Sequence, residues 1–183
     1  MGTRGRDVDK TCSRCGGGQE SQMHILQICT SVGGMRYRRH HNVCHRVARK
    51  LREKGYAVST EVAFPVSGQT TSTARPDIIA IKDGKALVLD VTCVYENSGA
   101  AFTNAYSYKV NRYKSLEGAV KMKYDCTQVE THGLVIGSRG SFHHGHLHLW
   151  RSLGFTDMEL TFLAISCMED SIRVVNVFRR RED

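Results

Sequence analysis

Acidic side chains are in short supply in this chain of 183 residues. Asp and Glu total 18 against 26 Lys and Arg, for a formal charge of +8 and a pI near 9.3. A surplus of that size points to a polyanionic partner, with nucleic acid first and an anionic membrane surface second. Proline occurs only twice, which leaves nothing for long rigid linkers. No run approaches the ~18 apolar residues of a spanning helix, so a soluble chain with no membrane partner is expected. The opening residues MGTRGRDVDK have no apolar stretch behind their charges and do not form a secretory signal. They are polar throughout, and residues 1–10 are expected to be disordered. What is present, 40% hydrophobic and 24% charged residues, excludes a wholly disordered chain. It suffices for one ordinary domain with a small appended module.

The cysteines number seven, an odd count without an export signal, so a disulfide framework is the weaker reading. Three of them fall in one window with a histidine, Cys12-x2-Cys15-x8-His24-x4-Cys29. Two thiolates two residues apart can grip one side of a zinc ion from a tight turn. Gly16, Gly17 and Gly18 let the chain reverse, and His24 and Cys29 close the tetrahedron. So small a segment has almost no core, and metal binding would supply its folding energy. The alternative is a flexible tail with reduced thiols. The site leaves no open position, which makes it structural. Cys44, Cys93, Cys126 and Cys167 lie among apolar residues and are expected to pack as small hydrophobes.

From Tyr37 to Lys54 the spacing of Val43, Val47, Ala48 and Leu51 predicts a helix with a narrow apolar stripe, capped by Gly55. Arg38, Arg39, Arg46, Arg49, Lys50 and Arg52 crowd its remaining surface, and within it only Glu53 opposes them. A helix facing water alone would mix both signs, so contact with phosphates is the expected role of Arg38, Arg39, Arg46, Arg49 and Lys50. A solvated helix face is the alternative. Residues 56–65 alternate as a strand, and SGQTTSTA reads as a loop. RPDIIAIKDGKALVLDVTCVY reads as two β-branched strands joined at Lys82-Asp83-Gly84-Lys85, with Asp-Gly as a strong hairpin signal. Helical period returns from about 100 to 121, and 133–137 is a short buried strand. This order predicts an α/β layer with a mixed sheet. A helix is expected over 156–169, and residues 171–178 run on into Arg179, Arg180 and Arg181, a tail that touches phosphate or frays.

Asp77 opens one strand of the hairpin and Asp90 lies in the other, with twelve residues between them. A tight turn can bring such positions side by side. Two carboxylates held together repel unless a cation lies between them, and a hard divalent ion, magnesium first, would be that cation. Bound there, it could lower the pKa of a water and neutralise a phosphoryl group. On the following helix, Phe102, Ala105, Tyr113, Leu116 and Val120 form the apolar stripe and Lys109 falls in its gap. A lysine on a packed face pays desolvation unless it meets an anion, and Asp90 and a scissile phosphate are the candidates. Snorkelling to water is the alternative. Lys114, rotated by about 140°, is the second choice.

Arg75-Pro76-Asp77 followed by Asp90-Val91-Thr92 resembles the PD-(D/E)xK nuclease core, except that Thr92 stands where that pattern has lysine. The ordered set is a Cys-Cys-His-Cys knuckle, a basic helix, Arg-Pro-Asp, Asp-Val-Thr and a lysine on the next helix. It is similar to the restriction-like endonuclease end of site-specific non-LTR retrotransposons, those inserting into ribosomal RNA genes. The resemblance covers Cys12 to about Ile136. It implies a knuckle over 11–34 holding structural Zn2+ on Cys12, Cys15, His24 and Cys29. It also implies a restriction-endonuclease-like α/β domain over 35–183, a mixed sheet flanked by helices. Asp77 and Asp90 would correspond to the acids holding Mg2+ or Mn2+, and Lys109 to a relocated catalytic lysine. The implied activity is nicking of double-stranded DNA, a ribosomal RNA gene in the nucleus, to leave a 3′ hydroxyl that primes reverse transcription. The implied partners are a reverse transcriptase and other parts of the same polyprotein, from which this chain would be an isolated endonuclease segment.

Arg75 and Lys114 join the candidate DNA contacts. His143, His144, His146 and His148 are expected in a surface loop, with a second metal site as the alternative; Trp150 is expected in the core or at an interface, Tyr113 in the core, and Tyr106 is open to stacking on a base. Two other readings compete. One is a non-catalytic DNA-binding module with a zinc knuckle and structural acids. The other is a Holliday-junction-resolving nuclease on the same core.

Overall fold

The computed structural model describes residues 11–65 and 73–180. The expected disordered start, residues 67–72 of the expected loop and Arg181 lie outside the described residues. Helix α1 (Gln22–Gln27) is followed by a 3-10 turn (Thr30–Val32) and then by α2 (Gly33–Glu53). The long basic helix therefore starts four residues before Tyr37, inside the expected knuckle. It ends as expected: Gly55 takes a φ of +83°, and the Tyr56 N–H donates back to the Leu51 carbonyl at 3.0 Å.

Strand β1 (Ala57–Thr60) is shorter than the expected strand over 56–65, because Glu61 turns the chain with a φ of +52°. Phe64–Pro65 (β2) pairs instead with Thr73–Ala74 (β3) in a separate two-stranded ribbon. Strands β4 (Ile78–Lys82) and β5 (Lys85–Val94) form the expected hairpin, with Asp83 and Gly84 both at positive φ. The expected helix over 100–121 is two helices, α3 (Gly99–Lys114) and α4 (Glu117–Tyr124), broken at Ser115. Strand β6 (Gln128–Gly137) extends further toward its N-terminus than the apolar run, because its first residues alternate between exposed and half-buried. The main sheet has the order β1-β4-β5-β6, antiparallel except for the parallel pair β5–β6. After a 3-10 turn at His144–His146 come α5 (Leu147–Ser152) and α6 (Asp157–Arg179), the latter one unbroken helix. Thr156 starts α6 with a capping box: its hydroxyl accepts the Glu159 N–H, and the Glu159 carboxylate accepts the Thr156 N–H at 2.8 Å.

Alternation along the strands separates two cores. Ile78, Ala80, Leu89 and Val91 face α2, α5 and α6, where Val47, Leu51, Trp150 and Leu163 pack with them. Ile79, Ala86 and Val88 face α3 and α4, where Tyr113, Leu116 and Val120 pack. Trp150 is a core residue, edge-on to Phe142 and Phe155. A third cluster ties Leu26 and Val32 to Val174 and Phe178 of α6. No helix among the described residues is long and apolar enough to cross a membrane.

Candidate metal and acid centres

The N-terminal turn is built by its glycines. The Cys12 N–H donates to the Gly18 carbonyl at 2.7 Å and the Gly16 N–H to the Cys12 carbonyl at 2.9 Å. Gly16 and Gly18 take φ values of +64° and +110°, which a residue with a Cβ resists. Ser21 caps α1 and orients His24. The Cys12 and Cys29 sulfurs lie 3.8 Å apart, and the Cys15 sulfur lies 3.3 Å from the His24 Nε2. Ligand atoms of Cys12, Cys15, His24 and Cys29 all fall within 4.8 Å of one another. A tetrahedron with Zn–S arms of about 2.3 Å has edges of about 3.8 Å, so these four can hold one zinc ion. The Gly17 N–H on the Cys15 sulfur leads the effects that lower that thiol to about 6, whereas burial pushes Cys12 up.

The second centre lies where β4 begins. Ile78 is opposite Leu89, so the register brings Asp77 level with Asp90. Asp90 points to the α3 side of the sheet with Ala86 and Val88, where Lys109 forms an ion pair with its carboxylate. That approach depends on Gly133, the β6 residue beside Asp90. A Cβ there would lie 3.1 Å from the Lys109 Cβ and from the Tyr106 backbone. Asp90 is 3% exposed. Burial first and the Asp77 charge second raise its carboxyl above the ordinary range, outweighing Lys109. Burial likewise pushes the Tyr113 hydroxyl up, and that hydroxyl donates to the Arg75 carbonyl at 3.2 Å.

Asp77 has a partner the sequence did not announce. Its Oδ2 accepts the Val91 N–H at 2.6 Å and lies 3.1 Å from the Nε2 of His40, on α2. The same nitrogen lies 3.1 Å from the Val91 carbonyl. Both neighbours are acceptors, so Nε2 carries the hydrogen. Burial alone would depress the imidazole, but the hydrogen bond and charge of Asp77 outweigh it and its pKa is raised. Beside Asp77 opens a cleft of about 120 Å³ lined by His41, Cys44, His45, Arg52 and Glu61. A larger cleft, about 480 Å³ between α2 and α6, carries both charge signs and lies away from the acids.

The cations of α2 are not offered together to a phosphate backbone. Arg39 is buried, and its guanidinium donates to the Ser171 hydroxyl at 2.8 Å and the Leu26 carbonyl at 2.9 Å. That corrects its expected role as a DNA contact, since its donors already join α1 to α6. Lys50 pairs with Glu159 at 2.5 Å, and Arg46 reaches Ser166 at 3.3 Å. Arg38, Arg49, Arg75 and Lys114 are exposed. The opposing charge for Lys50 comes from a helix more than a hundred residues away in sequence, which a count within α2 could not reveal.

The histidine run is no free loop. His143 stacks on His144 with 4.8 Å between ring centroids, and His146 lies 4.6 Å from the Tyr106 ring. Among the described residues the ligand atoms of these histidines do not gather as a metal group. Cys44, Cys126 and Cys167 are buried and Cys93 is half-buried, all as free thiols.

No protein-family model matches the chain. It is 27% identical over 142 residues to the retrovirus-related Pol polyprotein of a type-2 retrotransposable element from Drosophila melanogaster. The match covers 75% of this chain and 13% of the polyprotein, so the chain spans a small fraction of that relative. A crystallised protein of unknown function superimposes with a TM-score of 0.32 at 16% identity. That match covers 74% of this chain and 96% of the other, too loosely to establish a shared fold.

Proposed function

We propose that the chain is a metal-dependent DNA endonuclease, the restriction-like nuclease segment of a retrotransposon polyprotein. The observation that carries this reading is the Lys109 ammonium paired with a buried Asp90 whose carboxyl the nearby Asp77 charge helps to raise. A structural ion pair alone is a weak account of it, since even with Lys109 the Asp90 carboxyl stays raised. The carboxylate oxygens of Asp77 and Asp90 are donors that suit a hard cation. Asp77 and Asp90 would hold magnesium or manganese, which when bound supplies Lewis acidity for a water and for the phosphoryl oxygens.

The chain's own groups do the rest. The ion pair fixes the Lys109 Nζ over β5, where it can donate to a non-bridging phosphate oxygen as charge builds there. The sheet and α3 shut water away from the far side of Asp90. Hydrolysis, with water attacking phosphorus in line, would leave a 5′ phosphate and a 3′ hydroxyl, and that hydroxyl would prime reverse transcription by the polymerase part of the same polyprotein. A ribosomal RNA gene in the nucleus is the target this reading implies. The similarity to a retrotransposon polyprotein, the +8 charge and the zinc-competent knuckle all support it.

Asp77→Ala separates an enzyme from a mere binding module. Loss of nicking with duplex affinity retained supports the enzyme, whereas unchanged nicking by a verified preparation removes Asp77 from it. Equal amounts of linear duplex and four-way junction, offered together, separate a nicking enzyme from a junction resolvase.

A further inference from the structure

We infer that His40 is the positioning residue that fixes the Asp77 carboxylate, an inference that rests on the nuclease reading above. Asp77 stands just ahead of β4, and although its carbonyl still accepts the Glu61 N–H at 3.0 Å, that backbone bond does not fix its carboxylate. Two donors set it instead. The Val91 N–H and the His40 Nε2–H both meet Oδ2, so Oδ1 is left to face a cation or water. His40 also donates to the Val91 carbonyl and so ties the carboxylate to the backbone one residue beyond Asp90. One ring nitrogen thus binds the two acid positions into one unit.

The helix behind the ring is held firmly. Arg39 is locked to α1 and α6, and on the next turn Val43 and Val47 are buried in the main core. His40 is therefore a fixed post against which the largely buried Asp77 is registered. The alternative is that His40 is itself a metal ligand, since its ligand atom lies within 4.8 Å of those of Cys44 and Asp77, but the hydrogen bonds speak against it. Its Nε2 is spent as a donor between two acceptors, and burial pushes the Cys44 thiol strongly up, against thiolate formation.

The test compares the wild type with His40→Ala, His40→Gln and Asp77→Asn. It measures calorimetric Mn2+ affinity of the zinc-loaded chain, nicking rate, KM for DNA, melting temperature and zinc per chain. Removal of an outer hydrogen-bond partner costs about 10–100-fold in metal affinity or activity. The expected result is a loss of that order for His40→Ala in both Mn2+ affinity and kcat, with KM for DNA unchanged. The amide of His40→Gln, which can donate from nearly the same place, should restore most of it. If His40→Ala melts early, the folded His40→Gln decides. A native-like melt for His40→Ala with Mn2+ affinity and kcat unaltered overturns the inference, as does a folded His40→Gln that restores neither. So does a fall in zinc content with His40→Ala, which would make His40 a ligand. Undiminished nicking by Asp77→Asn would instead overturn the nuclease reading itself.

Discussion

Asp90 is a carboxylate whose surroundings oppose its charge, and that has a consequence for stability. In the unfolded chain an aspartate titrates near ~3.9; in the folded protein burial and Asp77 raise it. The folded state therefore holds the proton to higher pH, and stability falls as pH rises from the unfolded value through the folded one. Asp90→Asn removes that penalty. Its melting temperature is expected to equal or exceed the wild type's at pH 7.5, with the gap narrowing toward pH 5, while nicking falls by about a hundredfold or more. A lower melting temperature at pH 7.5 would mean that the pair with Lys109 stabilises the fold outright. The pairing of Lys109 with Asp90 was legible from the chain itself, because hairpin counting and a gap in a helical stripe are local signals. His40 was not, since its contact with Asp77 joins residues 37 apart and a lone histidine among arginines carries no spacing to read. Arg39 was misread for the same reason, as its partners lie on α1 and α6.

At the scale of elements, the approach of α3 to β6 decides whether Lys109 reaches Asp90. Gly133→Ala puts a methyl group 3.1 Å from the α3 backbone, so the helix must shift. A misplacement of about 1 Å can cost about a hundredfold in rate, so a shift of a few tenths of an ångström is expected to slow nicking several-fold with only a small loss in melting temperature. Unchanged nicking would show that Lys109 tolerates displacement. The knuckle is the other decisive element. Arg36 donates to the Cys29 carbonyl at 3.0 Å and Arg39 to the Leu26 carbonyl, so α2 leans on the zinc-competent turn. Metal analysis should find about one zinc per chain. Chelation should raise amide exchange in residues 11–32 first and in the start of α2 next. Absence of zinc, or exchange that ignores chelation, would refute that coupling. The knuckle was legible because thiol spacing is local. The break at Ser115 and the unbroken α6 were not, because packing rather than periodicity sets where those helices end.

For the whole molecule, the +8 charge is a statement about binding rather than about fold. Duplex affinity should fall steeply with salt, and the log–log slope should drop by about 0.9 for each phosphate that a variant no longer neutralises. Arg38→Ala and Arg49→Ala are expected to lower it, since both side chains are exposed. Arg39→Ala should act through stability instead, by leaving buried acceptors on α1 and α6 unpaired. Equal slopes for all three would place the DNA path elsewhere. The most direct measurement of the central claim is relaxation of supercoiled plasmid by wild type and Lys109→Met, at matched DNA binding and with verified folding. Open circles should form with Mg2+ and not with EDTA, and the variant should be slower by about a hundredfold or more. A folded, DNA-bound wild type that leaves the plasmid intact, or a variant that nicks at the wild-type rate, would contradict the account.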